Sequence, residues 1–250
     1  MGMNGHWCSL GLMEYQAAYD LQTRLVEYRR SQEPGCDGPG CGDIFLVVQH
    51  PPVYTLGRRG GREFLMVSDQ FLADQKIPVV PIERGGVITY HGPGQLVIYP
   101  IIHLKQSGLT VTEYVARLEE LMIALAAEVG VTAGRDERNH GVWVGNKKLG
   151  SIGIAIRHGI SFHGLALNVN PSLEPFGWIN PCGLTGVSMT SLAKERGVEV
   201  TVEQLVENIP YHLERIFPHT FTEISPDQLP LQQVKEAKQE AGQVEVEAGR

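Results

Sequence analysis

The sequence predicts one α+β domain built on a mixed sheet, and three observations carry that reading. Residues 141–170 hold three extended segments with tight connections, which require antiparallel pairing. Residues 110–129 form a long amphipathic helix with start and stop signals of its own. Strands and helices do not alternate regularly, so a doubly wound parallel sheet is not expected. Apolar residues make up 42% of the 250 residues, enough for a sizeable core.

In chain order, residues 11–31 read as a helix. Tyr15, Ala18, Leu21, Leu25 and Tyr28 recur at three- and four-residue spacing. A Gly/Pro-rich insertion at 34–42 ends it. Ile44 to Gln49 is a short apolar, β-branched run and reads as a buried strand. HPPVYTLGRRGG follows as a loop, because prolines and glycines punctuate it. Pro78 to Glu83 reads as extended, and the glycine-rich stretch 84–95 leads into a strand at 96–102.

Thr110 and Glu113 have capping-box spacing at the start of the next helix. Val115, Leu118, Met122, Leu125 and Val129 make its buried stripe, and Gly130 closes it. Glu119 and Glu120 fall on its polar face and receive no role. Gly145-Asn146 is a two-residue hairpin turn between strands at 141–144 and 147–156, with a third at 160–170. Val202 to Phe217 reads as a last amphipathic helix. Composition turns polar after Phe221, so the domain is set at 1–221 and a flexible tail at 222–250.

The balance of 21 basic against 28 acidic residues, a net charge of −7, argues against a nucleic-acid-binding surface. No apolar run reaches the ~20 residues of a membrane span. The first residues lack the basic-then-apolar order of a secretion signal, so a cytoplasmic location and free thiols are expected. Cys36 and Cys41 are not spaced C-x-x-C and read as part of a surface insertion.

Candidate chemistry falls in few places. Cys182 sits in INPCGLTG, among turn-formers rather than in a core periodicity, where a nucleophile can be presented. Lys147 and Lys148 are neighbours on a period-two strand, so they point to opposite faces. Burial of one would lower its pKa and allow it to accept a thiol proton. Gly85, Gly86, Gly92 and Gly94 let backbone approach a ligand, with polar groups from Arg84, Thr89, Tyr90, His91 and Gln95. That stretch matches neither phosphate-binding glycine motif. His163 is a second imidazole candidate on a mostly apolar strand. No helical pair of histidines accompanies a carboxylate, so no metal is expected.

Read together, HPPVYTLGRR, RGGVITYHGPGQLVIYPI, KKLGSIGIAI, ISFHGLALNVN and INPCGLTGVSMTSL closely resemble the lipoate-biosynthesis octanoyltransferases. The likeness covers about residues 11–217. It implies a fold akin to the catalytic domain of biotin and lipoate protein ligases. It also implies transfer of octanoyl from acyl carrier protein to a lysine of lipoyl domains, those of 2-oxoacid dehydrogenase E2 subunits and the glycine cleavage H protein. The family's nucleophile falls on Cys182 and its lysine on Lys148, leaving Lys147 facing solvent. Its acyl-binding stretches fall on Arg84, Gly85, Gly86, Val87, Ile88, Thr89, Tyr90 and His91, then Ser151, Ile152 and Gly153, then Gly164, Leu165 and Ala166. The resemblance implies no cofactor, no metal, no ATP requirement, and a monomer that meets neither nucleic acid nor membrane. Arg58, Arg59, Arg62 and Arg84 form a local basic rim for acidic carrier domains on this reading. An ATP-dependent lipoate or biotin ligase on the same fold is the alternative, as are an octanoyl amidotransferase and a non-catalytic carrier-binding module.

Overall fold

The computed structural model describes residues 3–32, 42–180, 187–217 and 219–230. Cys36, Cys41, Cys182 and the residues beyond 230 lie outside them. The strands are β1 (Met3–Leu12), β2 (Asp43–Gln49), β3 (Val53–Leu56), β4 (Val79–Pro81), β5 (Ile88–His91) and β6 (Gln95–Ile101). They continue as β7 (Gly141–Val144), β8 (Lys147–Arg157), β9 (Ile160–Asn168), β10 (Ser188–Met189) and β11 (His219–Glu223). The helices are α1 (Tyr15–Ser31), α2 (Asp69–Asp74), α3 (Val111–Glu128), α4 (Leu192–Arg196), α5 (Val202–Val206) and α6 (Ile209–Ile216).

Among the described residues, eight strands form one mixed sheet in the order β10-β8-β9-β6-β2-β1-β11, with β7 also on β8. β7, β8, β9, β6 and β2 are antiparallel in turn, as the hairpin reading expects. β1 runs parallel to both β2 and β11, and β10 runs parallel to the start of β8. β4, β3 and β5 form a second, smaller sheet. Strand alternation divides the main core. Leu96 and Ile98 of β6 face α3 and α6, while Val97, Tyr99 and Ile101 face α1.

Local signals behave as their chemistry requires. The Thr110 side chain accepts from Glu113 N while Glu113 returns a bond to the Thr110 N–H, and Gly130 takes a φ of +75° past the end of α3. All five residues of the expected α1 stripe are buried. The reading differs elsewhere. Residues 3–12, with no clear apolar period, become β1 because it is held between two parallel neighbours. VYTL becomes β3 through pairing with β4 and β5. The single helix at 202–217 is two: Pro210 lacks an N–H and sits in the first turn of a new helix, α6.

Glu119 is not on a polar face. It is buried, accepting from the Gly141 N–H at 3.1 Å and from Arg135 Nε at 3.0 Å, so it anchors β7 to α3. The fold also continues past Phe221. β11 runs to Glu223, a short 3₁₀ turn spans Pro226–Gln228, and Leu229 packs into the α1-side core. An apolar anchor eight residues past Phe221, Leu229, thus still holds the chain against the core.

One buried cluster ties the far edge together. Asp43 accepts from Arg29 Nε at 3.0 Å, Ser107 Oγ at 2.7 Å and His219 Nε2 at 2.9 Å. Burial alone raises a carboxyl pKa. Here the His219 hydrogen bond, the Arg29 charge and the Ser107 hydroxyl outweigh it and hold Asp43 below the usual carboxylate range. A depressed folded pKa stabilises the protein above the unfolded value and loses that contribution as pH falls through the folded one. Asp43→Asn should cost about 3–5 kcal/mol at neutral pH by stranding Arg29. In urea unfolding at a series of pH values, the gap between wild type and variant should shrink as the pH falls below the carboxyl's ordinary 3.8.

Candidate active site

A cavity of about 620 Å³ opens between the small sheet and the main sheet. The glycine-rich loop forms its roof. Gly57 N donates to Val87 O, and Arg58 N to Arg84 O, both at 2.9 Å, which fold the loop against the segment after β3. Gly85 N donates to Ile154 O at 2.9 Å, which brings the loop onto β8. Gly153 permits that approach. A Cβ there would lie 2.8 Å from Arg84 Cδ, inside van der Waals contact. The opposite wall comes from β8 and β9, where Ser151 pairs with Ala166 and Gly153 with Gly164. These small residues leave the space that larger side chains would fill.

Arg84 is buried, and its guanidinium is spent on the protein. Nε and Nη2 reach Thr55 Oγ1 at 3.2 and 2.8 Å, Nη2 reaches Thr55 O at 2.6 Å, and Nη1 reaches Gly85 O at 2.9 Å. It braces the loop to β3 and is no part of an exposed basic rim. Arg58 and Arg59 are exposed, and Arg59 borders the cavity. Arg62 is exposed as well but pairs with Asp69 at 2.6 Å.

Lys148 lines the cavity and Lys147 does not. Opposite faces follow from alternation, but which lysine faces in does not. The β7–β8 register shifts between Val142 and Trp143, so β8 carries a bulge around Leu149. Leu149 lies in the α3-side core, and a Cβ on Gly150 would also point there, at Met122 Sδ. Two successive residues thus face one side, and Lys148 is turned to the cavity with Ser151 and Gly153. Its Nζ stands 5.4 Å from the centre of the Trp143 ring. Lys147 is half-buried rather than freely solvated, and it bonds Glu195 of α4, which also accepts from the Thr190 hydroxyl.

The described residues on both sides of 181–186 reach the cavity, with Ile179 and Asn180 before them and Val187, Ser188 and Met189 after. Ile179 bridges to Leu65, and Asn180 N donates to Phe64 O at 2.9 Å. β10 lies beside Lys147 and Lys148. Cys182 itself is outside the described residues.

Of the other residues expected to bind substrate, Arg84, Gly85, Gly86, Val87, Ile88, Thr89 and His91 line the cavity. So do Ser151, Ile152, Gly153, Gly164, Leu165 and Ala166. Tyr90 lies elsewhere. Its ring packs on Tyr54 and Phe176 in the core of the small sheet. Sequence reasoning missed Tyr15, Val97 and Tyr99, which line the cavity from α1 and β6. Their apolar spacing is that of ordinary core positions, so no local signal separates them.

The cavity wall holds the basic groups Arg59, Arg84, Lys148 and Lys194 and several aromatic titratable groups. Burial pushes His91 and His163 down to about 3. It pushes His50, which bonds Tyr99 Oη at 2.8 Å just behind the wall, down to about 4. Burial also raises the Tyr15 and Tyr99 phenols. At neutral pH the imidazoles are therefore uncharged and the phenols protonated. A wall of this kind suits an uncharged, mainly apolar chain.

A Cβ at Gly164 would collide with the Ile98 carbonyl of β6, a backbone atom that cannot step aside. Gly164→Ala should therefore destabilise the fold by about 1–3 kcal/mol, an overpacking cost. Thermal melting would check this, and an unchanged Tm would contradict it.

Comparison with known proteins agrees with the fold and extends it. The family model "Lipoyl protein ligase A/B catalytic domain" matches residues 14–214. An octanoyltransferase of Desulfotalea psychrophila is 58% identical over 192 residues, 76% of this chain and 83% of that protein. One from Syntrophobacter fumaroxidans is 44% identical over 86% of this chain and 91% of its own. A bipartite lipoate protein ligase from Thermoplasma acidophilum superposes with a TM-score of 0.70 at 17% identity, covering 94% of this chain and 91% of its own. A lipoate-protein ligase A bound with ATP gives 0.69 at 15% identity, covering 94% of each chain. The two superpositions speak for the fold, and the family model with the closer sequence relatives for the lineage: the chain belongs to the lipoyl protein ligase A/B catalytic-domain family, among its octanoyltransferases.

Proposed function

We propose that the protein transfers octanoyl from octanoyl acyl carrier protein to a lysine of lipoyl domains, through a thioester on Cys182. The observation that carries this reading is a cavity walled by small residues and neutral rings, with Lys148 turned into it. An eight-carbon chain suits such a slot, at ~0.8 kcal/mol per buried CH₂. Exposed Arg58 and Arg59 beside the cavity support attraction of acidic carrier domains, which a net charge of −7 would otherwise oppose. The acceptors on this reading are lipoyl domains of 2-oxoacid dehydrogenase E2 subunits and the glycine cleavage H protein. The enzyme acts as a cytoplasmic monomer.

The chemistry divides into two displacements. Lys148 takes the proton of Cys182, the thiolate attacks the donor thioester, and the carrier thiol leaves with a proton. Exchange between thioesters is close to isoenergetic, so no ATP is needed. The acceptor amine then attacks the acyl-enzyme, Lys148 receives its proton, and the Cys182 thiol is restored. Amide formation from a thioester is downhill and drives the second step. Backbone N–H groups of the glycine-rich segments supply the oxyanion donors, each worth ~3 kcal/mol in the barrier.

The test is an intact mass after mixing with octanoyl acyl carrier protein without ATP. Wild type should gain one octanoyl group, labile to hydroxylamine, and Cys182→Ser should gain none. Lys148→Met should load about 10²–10⁴-fold more slowly, the usual effect of losing a general base. A wild type that stays unloaded, yet modifies a lipoyl domain from free octanoate and ATP, would show a ligase instead.

A further inference from the structure

Along β8 and β9 the cavity has two unlike ends. Lys148 borders it at one, beside Ser188 and Met189 of β10. The other end closes at the rung where Ile154 pairs with His163. There the glycine-rich loop comes down on the sheet, with Gly85 N donating to Ile154 O at 2.9 Å. His163 borders the cavity, and the next rung does not. Ala155 and Phe162 pair there and pack into the α1-side core.

His163 reaches that place against the alternation of its strand. Phe162 and Ala166 belong to the α1-side core, and Leu165 and Leu167 to the α3-side core, so position 163 should face α3. His163 instead takes a φ of +55°. Its ring stacks on Phe162, with centroids 4.9 Å apart, and on Tyr19 of α1 at 5.7 Å. Buried Gln22 of α1 holds the turned backbone, its Oε1 accepting from His163 N at 2.7 Å. The residue is only 1% exposed, and neither ring nitrogen has a hydrogen-bond partner among the described residues. An imidazole that makes no hydrogen bond serves here as volume. Its identity answers to the backbone: asparagine, aspartate and histidine bear a positive φ best among residues with side chains, and histidine is the bulkiest of them.

We propose that His163 is the end wall of the acyl slot and sets the chain length that the protein accepts. This rests on the reading of the cavity as the slot for the octanoyl chain. A chain with its carbonyl toward Lys148 runs past Ala166 and Gly164, and its last carbons meet the His163 ring. Small residues open the slot, and one large residue ends it. A longer chain has to displace that ring, which Phe162 and Tyr19 pack and Gln22 holds by its backbone. The barrier is one of shape, because a buried neutral ring offers an alkyl chain neither charge nor a hydrogen bond.

Transfer to a lipoyl domain from octanoyl, decanoyl and dodecanoyl acyl carrier protein tests this in the full chain, read as the kcat/KM of each longer donor relative to octanoyl. Glycine and asparagine both tolerate a positive φ, so His163→Gly and His163→Asn should fold, which melting checks. In His163→Gly the decanoyl-to-octanoyl ratio should rise about tenfold, close to the worth of two further buried methylenes. The rise should be smaller in His163→Asn, which keeps part of the side chain. His163→Phe restores the bulk without the imidazole and should bring the ratio back toward wild type, with a lower Tm from its disfavoured backbone. Ala166→Leu puts bulk partway along the slot and should slow all three donors. Unchanged ratios in both the Gly and Asn variants, or a folded Phe variant with the Gly profile, would overturn the inference alone. Should the Phe variant not fold, the other two decide. Full activity in Ala166→Leu, or a wild type that transfers no octanoyl, would overturn the slot reading together with it.

Discussion

A buried guanidinium must find acceptors, and the way Arg84 finds them organises the site. Its contacts to Thr55 and Gly85 join the small sheet to the glycine-rich loop, and the loop's bond to Ile154 joins both to the main sheet. Without that brace the roof of the cavity would have to leave a charge unpaired in the interior, which costs several kcal/mol. Gly153 of β8 follows from the same constraint. Gly153 lies under the Arg84 side chain, where a Cβ would collide with it.

The cavity shows how burial sets chemistry. Imidazoles and phenols that would titrate or hydrogen-bond in water are held neutral. Desolvation makes them a nearly apolar wall that keeps a few directed lone pairs and N–H groups. Of the basic groups, Arg59, Lys148 and Lys194 border the cavity, Arg84 is held in its wall by Thr55 and Gly85, and Lys147 is paired with Glu195.

Some of this was legible from spacing. Helix α3 has its capping box and glycine stop, the 141–168 hairpins have their turn, and the glycine-rich stretch lies at the cavity. Elsewhere spacing misled. Alternation separated Lys147 from Lys148, but extended through LGSIG it would turn Lys148 to the core with Ile152; the bulge at Leu149 reverses that. Glu119 has the spacing of a polar face, yet it is buried because β7 needs an acceptor there. Tyr90 lies in the glycine-rich stretch but is a core residue of the small sheet.

The sequence by itself determined what depends on residues three or four apart: helix bounds, turns, the small-residue strands and, through the joint pattern of motifs, the family. Only the tertiary structure decided which lysine enters the cavity and what Arg84 binds. The first follows from a bulge in the β7–β8 pairing, and the second from a partner 29 residues away, Thr55. Local spacing cannot supply such partners. Burial can, because a polar group removed from water must be met by whatever the fold brings beside it.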